Sequence, residues 1–228
     1  KWARDFKPVI MKSRYRDLLP EKGLGSRGGA KISMVEFGNG AVLRFMSAGG
    51  DDKTRAGFTS RVLVATEVDG FDLAAEKSRE ANPVAQMEGR LGAYGENIRI
   101  YLECTVSLET GRIWKEYKAG TESRIVRPCP HCQAWVTPER EDLVGWKSAK
   151  DIIEARDNAA FKCPACAALW SEQERTDTNA NSKLLHRGQE ICPDGSIVGA
   201  VPRTDTFSYR WTAADNNFVS AGIVAKRE

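Results

Sequence analysis

The chain has 228 residues, with 34 Lys and Arg against 31 Asp and Glu and a formal net charge of +3. Hydrophobic residues make up 41% and charged residues 29%, the composition of a soluble globular protein. No apolar run approaches the roughly 18 residues of a membrane span, and no signal peptide is recognisable, which argues against a membrane protein. The sequence opens without Met on residues typical of the middle of a domain, so we expect a fragment of a longer protein.

Positive charge is concentrated in the first part of the chain. Residues 1–61 hold 13 Lys and Arg against 6 Asp and Glu, whereas residues 62–228 hold 21 against 25. A basic segment fits a polyanionic partner such as DNA or a nucleotide phosphate. From charge alone, however, an ordinary solvated surface is the more frequent explanation.

The first part of the chain contains a predicted helix, a glycine-rich loop and a predicted hairpin. We expect a helix over 1–20 that ends before the Leu-Pro pair, and two strands over 32–37 and 41–46 that are joined by an Asn-Gly turn. The loop 23–31 does not match the phosphate-binding pattern G-x-x-x-x-G-K-[ST], because no Lys follows its glycines at the required position. We therefore do not assign it as a Walker A loop.

Strands and helices alternate over 61–118. Residues 61–65 and 98–106 predict strands, and the apolar run of the first is typical of a strand buried on both faces in a parallel sheet. Residues 73–91, interrupted by an Asn-Pro pair, predict two short helices, and a further helix begins at Ile113. This order predicts an α/β fold.

The first of these strands leads into two carboxylates, Glu67 and Asp69. Ligands of open α/β sheets bind at the carboxyl ends of the strands. In P-loop ATPases the corresponding strand ends in Asp-Glu, where the Asp holds Mg²⁺ and the Glu polarises the attacking water. Glu67 takes the Glu position, Thr66 stands at the Asp position, and Asp69 could substitute if the backbone turns at Gly70. That Glu67 and Asp69 cap the next helix is equally compatible with this stretch.

The second strand ends in small polar side chains, among them Thr105 and Ser107. At the edge of a neighbouring strand, such hydroxyls could sense the γ-phosphate of a nucleotide and transmit its loss. By themselves, Thr and Ser at strand ends are more often turn formers.

Four of the six cysteines form two Cys-x-x-Cys pairs that are thirty residues apart: Cys129, Cys132, Cys163 and Cys166. Two such turns can deliver four thiolates to one tetrahedral Zn²⁺, and a shell closed by four Cys marks a structural site. Disulfide pairing fits the spacing and the missing secretion signal less well. We interpret Cys104 and Cys192 as buried free thiols and His131 as a residue that does not bind the metal.

The remainder of the chain is first polar and then aromatic. Residues 176–202 predict a linker or irregular extension, and 207–224 predict a packed segment. Basic and aromatic residues are neighbours at 14–16 and 209–211, which is compatible with DNA contact, although packing is the more frequent use of such aromatics.

Several short runs follow one another in a recognisable order. They are the strand end Glu67-Val68-Asp69, the run Glu-Cys-Thr-Val-Ser at 103–107, Gly111-Arg112-Ile113-Trp114, the two cysteine pairs and the run Phe-Ser-Tyr-Arg-Trp at 207–211. In this order, from about Val35 onward, the chain resembles the large subunit of phage DNA-packaging terminase, of the lambda-type family.

The resemblance implies an ATPase that translocates double-stranded DNA into a preformed capsid and a nuclease that cuts concatemers. It makes Glu67 the catalytic carboxylate of ATP hydrolysis, places Thr66 and Asp69 near Mg²⁺, and makes Thr105 and Ser107 part of the coupling motif. The four cysteines would hold structural Zn²⁺. The implied partners are DNA, the terminase small subunit, the capsid portal and further copies of the motor subunit, in the host cell cytoplasm.

The chain departs from the family pattern at three points. Thr66 replaces the magnesium-binding Asp, Val106 replaces a Pro, and neither a Walker A loop nor the acidic cluster of the nuclease is recognisable. We therefore expect an incomplete P-loop-like ATPase core over 1–120, a four-cysteine zinc-ribbon module over 121–175, and a linker with the start of a following domain over 176–228. We do not expect this fragment to hydrolyse ATP alone.

Two other functions fit the same residues. One is a zinc-ribbon nucleic-acid-binding module without enzymatic activity, and the other is a helicase-like P-loop ATPase with an inserted ribbon. A Walker A motif in a preceding segment would favour an enzyme over the first. An acidic nuclease cluster downstream would favour terminase over the second.

Overall fold

The computed structural model describes residues 2–19, 34–46, 58–71, 83–106 and 108–227. The chain divides into two compact units, 1–105 and 106–228. Both units combine short helices with small sheets, so the expected α/β character is confirmed in this general form.

Most elements of the described part are short. The α-helices are α1 (Lys7–Met11), α2 (Pro83–Gly89), α3 (Arg112–Ala119), α4 (Ile152–Asn158), α5 (Glu172–Ala180) and α6 (Ala221–Ala225). The strands are β1 (Met34–Glu36), β2 (Val42–Arg44), β3 (Val62–Thr66), β4 (Arg99–Glu103), β5 (Ser123–Pro128), β6 (Trp135–Val136), β7 (Leu143–Val144), β8 (Ala160–Lys162), β9 (Leu169–Trp170), β10 (Lys183–Leu185), β11 (Glu190–Ile191), β12 (Ile197–Val198) and β13 (Tyr209–Arg210). Among these residues, no helix has the length and apolar character needed to cross a membrane.

The N-terminal helix is shorter than the sequence predicts. A π-helical turn, Trp2–Phe6, precedes α1, and Lys12 ends the helix at φ −93° and ψ 0°. The hydroxyl of Ser13 donates a hydrogen bond to the carbonyl of Ile10 at 2.8 Å. A side chain that bonds to a helix carbonyl competes with continuation of the helix, which accounts for the early end.

The predicted hairpin is present. β1 and β2 pair antiparallel with Val35 opposite Leu43, and the side chain of Asn39 accepts the N–H of Ala41 at 3.1 Å. Gly40 has a φ of +79°, a conformation that glycine adopts without strain. The glycine-rich loop 23–31 lies outside the described residues.

β3 and β4 form a parallel pair whose carboxyl ends lie at one edge. The register runs from Val62 opposite Arg99 to Thr66 opposite Glu103. One face packs against α2, where Leu63 contacts a cluster that includes Leu91. The expectation that β3 is buried on both faces is wrong. Val62 and Val64, which alternate with the buried residues of the strand, are 47% and 65% exposed. The expected second helix is present as α2, whereas the first expected helix falls mainly outside the described residues.

The second unit is organised around β5. β10 pairs antiparallel with β5 on one side and β13 pairs parallel with it on the other, while β6 pairs with its last residues, Arg127 and Pro128. The segment 176–228, which the sequence predicts as a linker and the start of a following domain, therefore contains strands that hydrogen-bond to β5. A separate sheet has the order β7-β8-β9.

Two buried arginines anchor the loop before α6. The guanidinium groups of Arg127, in β5, and Arg175, in α5, donate to the carbonyl of Ala214 at 3.0 and 3.1 Å. Arg127 also pairs with Asp215. Burial, together with the charge of Arg175, lowers the pKa of Arg127 to about 10. These contacts join segments that are far apart in the sequence.

Candidate functional site

The turn that follows β3 brings Glu67 to the carboxyl edge of the parallel pair. Thr66 and Glu103 are the last register partners, and the N–H of Val68 donates to the carbonyl of Glu103 at 3.3 Å. Glu67 and Cys104, which directly follow the two strands, are therefore neighbours. Ligands of α/β proteins bind at such an edge.

The side chains of Cys104 and Glu67 are in contact. The thiol of Cys104 donates to Oε2 of Glu67 over 3.7 Å, and the carbonyl of Thr105 is a second acceptor at 3.3 Å. Burial raises the pKa of this thiol above its usual 9.0, the backbone N–H of Asp69 offsets part of the rise, and the negative charges of Asp69 and Glu67 add to it. At neutral pH the thiol therefore keeps its proton and remains a donor to the carboxylate.

The backbone of Glu67 has a φ of +58°, in the left-handed region. For a residue with a Cβ atom, such a conformation costs on the order of 1 kcal/mol, and strained residues of this kind are concentrated at functional sites. The N–H of Gly70 donates to the carbonyl of Glu67 at 3.0 Å. This hydrogen bond closes a turn at Gly70. Such a turn is the condition given above for Asp69 to lie near the end of the strand.

The other predicted residues of this site lie along the same two strand ends. Thr66 is exposed as the last residue of β3, Asp69 is half-buried two residues beyond Glu67, and Thr105 is exposed after β4. Ser107 lies outside the described residues. The contact of Cys104 with Glu67 is not predictable from the sequence, because only the register of β3 and β4 makes them neighbours.

The second candidate site is the cluster of four cysteines. All four sulfur atoms lie within 4.8 Å of one another, with 3.9 Å from Cys129 to Cys166 and 3.9 Å from Cys132 to Cys163. Sulfur atoms bound to one tetrahedral Zn²⁺ at about 2.3 Å are separated by about 3.8 Å. The cluster therefore has the dimensions of a zinc site, and its donor set fits the metal.

The two cysteine pairs have equivalent backbone geometry. The N–H of Cys129 donates to the carbonyl of Ala134 at 2.9 Å, and its carbonyl accepts the N–H of Gln133 at 3.0 Å. Cys163 makes the corresponding bonds at 2.8 and 2.9 Å. Gln133 and Ala167, which directly follow the second cysteine of each pair, have φ of +61° and +60°. The two tips, defined here as the Cys-x-x-Cys turns between β5 and β6 and between β8 and β9, therefore hold their sulfur atoms in the same local geometry.

The thiol groups of the four cysteines are electrostatically suited to binding a cation. Burial would raise the pKa of Cys129, but hydrogen bonds from the backbone of Cys132 and His131 and from the side chains of Cys163 and Trp170 together lower the pKa to about 6. Burial and the neighbouring thiols instead raise the pKa of Cys163 to about 12. Four thiolates in so small a volume repel one another strongly, and a divalent metal removes this repulsion.

The surroundings of the cluster are apolar on its buried side. Cys129 and Cys163 are fully buried and pack with Val136 and Trp170, whereas the second cysteine of each pair is exposed. His131, which the sequence analysis did not assign as a ligand, lies with Nε2 3.3 Å from a carboxylate oxygen of Glu174.

The chain is a mixed α/β protein with polar side chains at the edge of a parallel strand pair and four cysteines that could hold a metal ion. The family model described as "Phage terminase large subunit gpA, ATPase domain" matches residues 3–183. The chain belongs to this family, which confirms the resemblance found in the sequence and implies ATP and Mg²⁺ as ligands in phage DNA packaging. Comparison with curated proteins and with solved structures found no match.

Proposed function

We propose that the chain is part of the large subunit of a phage DNA-packaging terminase and that Glu67 is the carboxylate that activates water for ATP hydrolysis. The observation that carries this proposal is the left-handed Glu67 at the end of β3, beside the end of a parallel strand. Membership of the terminase ATPase family supports the choice of ATP as the ligand of this edge.

Each residue at the edge has a role in this proposal. Glu67 accepts a hydrogen bond from the attacking water and polarises it toward the γ-phosphate. Thr66 and Asp69 would hold Mg²⁺ when it is bound, with Asp69 supplying the negative charge that Thr66 lacks. Mg²⁺ supplies charge neutralisation at the phosphates when it is bound.

The end of β4 is the proposed route by which loss of the γ-phosphate is sensed. Thr105 lies there and Ser107 follows it in the sequence. Their assignment to γ-phosphate sensing rests on the family resemblance. The contact of Cys104 with Glu67 links this strand end directly to the proposed catalytic carboxylate. Through this contact, a change in the bound nucleotide that moves Glu67 is transmitted to the end of β4.

The cysteine cluster is proposed to hold one structural Zn²⁺ in a zinc-ribbon arrangement. Two tips of equivalent geometry and sulfur separations of 3.9 Å support this assignment. Four thiolates leave no open position for water, so the metal stabilises the fold and takes no part in hydrolysis.

The parent protein is proposed to act as an oligomeric motor on double-stranded DNA, with the small subunit and the capsid portal as partners, in the host cytoplasm. The family match spans both Glu67 and the four cysteines, which favours terminase over a passive zinc-ribbon module or a helicase-like ATPase. Neither the phosphate-binding pattern nor the acidic cluster of the nuclease is recognisable in these 228 residues.

The test is ATP turnover by the full-length parent carrying Glu67→Gln. Turnover should fall at least about a hundredfold, because the amide cannot accept a proton from water, while nucleotide binding is retained. Glu96→Gln, at an exposed turn of the same unit, is the matched control. Turnover that equals the control would make Glu67 a turn residue without a catalytic role.

A further inference from the structure

A cavity of about 350 Å³ lies on the second unit and is lined by none of the residues of the two sites above. Trp114 and Tyr117, from α3, contribute aromatic surface to it. Arg124, Arg187 and Arg210 are also among its lining residues. The volume is at the lower end of the range of small-ligand sites.

The sheet register makes Arg124 and Arg210 neighbours, and Arg187 lies two residues beyond the end of β10. Arg124 of β5 is the direct partner of Arg210 in the parallel β13 and of Leu185 in β10. Register partners project from the same face of a sheet, and like charges directly opposite one another destabilise it. The register therefore places two arginine side chains where one anion can contact both.

The arginines differ in how they are neutralised. Arg210 pairs with Glu139, and Arg187 pairs with Glu122 at 3.5 Å. Arg124 is exposed, and within the described ranges no carboxylate lies within ion-pair distance of it. Arg124 is thus the guanidinium that has its full hydrogen-bonding capacity available for a ligand.

The aromatic wall is held in place. The ring centroids of Trp114 and Tyr117 are 5.4 Å apart at an interplanar angle of 33°, and the hydroxyl of Tyr117 donates to the carbonyl of Ser123 at 3.3 Å. Both rings are half-buried. A rigid aromatic surface beside guanidinium groups provides stacking for a base and hydrogen bonds for a phosphate.

The rim also carries a strained residue. Glu122 has a φ of +47°, and its carboxylate lies between Lys118 and Arg187, with which it pairs. The side chains of Lys118 and Arg187 are about half exposed, so these ion pairs contribute little to stability, but they place a carboxylate next to Arg187 in the cavity lining.

We propose that this cavity binds one unpaired nucleotide, with its phosphate between Arg124 and Arg210 and its base against Trp114 and Tyr117. A base inside a duplex is stacked and cannot enter a cavity, whereas a base in a single strand can. A free nucleoside monophosphate offers the same chemistry, so the experiment separates the two sources. The inference uses residues of the second unit alone and does not depend on ATP hydrolysis at Glu67.

The test measures the affinity of the purified chain for a fluorescein-labelled oligothymidylate by anisotropy at several salt concentrations. Arg124→Gln should weaken binding about tenfold, because one charge-assisted phosphate contact is lost. The slope of log affinity against log salt should fall by about 0.7, the contribution of one phosphate contact in a single strand. Arg203→Gln removes an exposed arginine of the same unit that does not line the cavity, and should change neither quantity.

A second variant separates stacking from charge. Trp114→Leu should weaken binding about tenfold and leave the salt slope unchanged, because the lost contact is apolar. If thymidine monophosphate displaces the oligonucleotide at an equal concentration of nucleotides, the natural ligand of the cavity is a free nucleotide. If displacement needs a large excess of thymidine monophosphate, the ligand is a nucleotide within a single strand. If Arg124→Gln binds like Arg203→Gln, or if a blunt duplex competes as well as the strand, the proposal is overturned.

Discussion

The thiol of Cys104 lies 3.7 Å from Oε2 of Glu67, although 37 positions separate the two residues in the sequence. The parallel pairing of β3 with β4 produces this contact, because each residue directly follows its strand. Burial and the nearby carboxylates keep the thiol protonated. A neutral donor thus orients the carboxylate to which we assign water activation.

Loss of the Cys104 thiol should reduce ATP turnover in the full-length parent. Cys104→Ala removes the donor and should lower turnover about threefold to tenfold, the effect of one modest hydrogen bond. Cys104→Ser retains a donor and should recover most of the loss. Cys192→Ala, at a half-buried thiol of the second unit, serves as the control. Equal turnover of Cys104→Ala and this control would contradict an orienting role.

The raised pKa of Cys104 should be visible in its alkylation rate. The thiolate is the reactive form, so the rate for Cys104 should rise through a midpoint above the usual thiol value of 9.0. Glu67→Gln removes a negative charge that favours the protonated thiol, and should therefore move the midpoint to lower pH. The measurement is mass spectrometry of the peptide that contains Cys104 after timed iodoacetamide treatment. An unchanged midpoint in the variant would show that the two groups are not coupled.

The cysteine cluster should bind about one Zn²⁺ per chain, measured by elemental analysis together with titration of the remaining free thiols. Cys163→Ser should lose the metal and melt at lower temperature, because four-thiolate coordination contributes directly to folding. Acidification should release the metal, since protons compete for the thiolates. Cys192→Ser should retain both metal and melting temperature. Unchanged melting after chelation would refute a structural metal.

Arg175 should be important for the stability of the second unit. Its side chain is 2% exposed, and the guanidinium donates to the carbonyls of Ala214, Asn216 and Val219 at 3.1, 2.8 and 3.0 Å. Arg175→Met leaves the carbonyls of Asn216 and Val219 without this donor, whereas the carbonyl of Ala214 keeps its bond from Arg127. The substitution should lower the free energy of unfolding by about 3 kcal/mol.

The measurement for Arg175 is urea unfolding of the chain, with Arg203→Met as the control at an exposed arginine. The control should stay within about 0.5 kcal/mol of the unmodified protein. A stability of Arg175→Met equal to that of the control would mean that water replaces the guanidinium at these carbonyls.

Features with a local cause were predictable from the sequence. The hairpin at Asn39-Gly40 follows from the turn preference of that pair, and the strand before Glu67 follows from a short apolar run. The helix expected over 1–20 was too long, because Ser13 bonds back to the helix end. The burial of β3 was also overestimated, since α2 packs against one face and Val64 on the other is exposed.

By itself, the sequence determined the spacing of the cysteine pairs, the carboxylates after an apolar strand and the order of motifs that identifies the terminase family. These properties depend on residues close together in the chain. Only the tertiary structure decided that Cys104 meets Glu67, that β13 pairs with β5, and that Arg124 stands beside Arg210. Strand register is set by packing between distant segments, and no local pattern encodes which residues it makes neighbours.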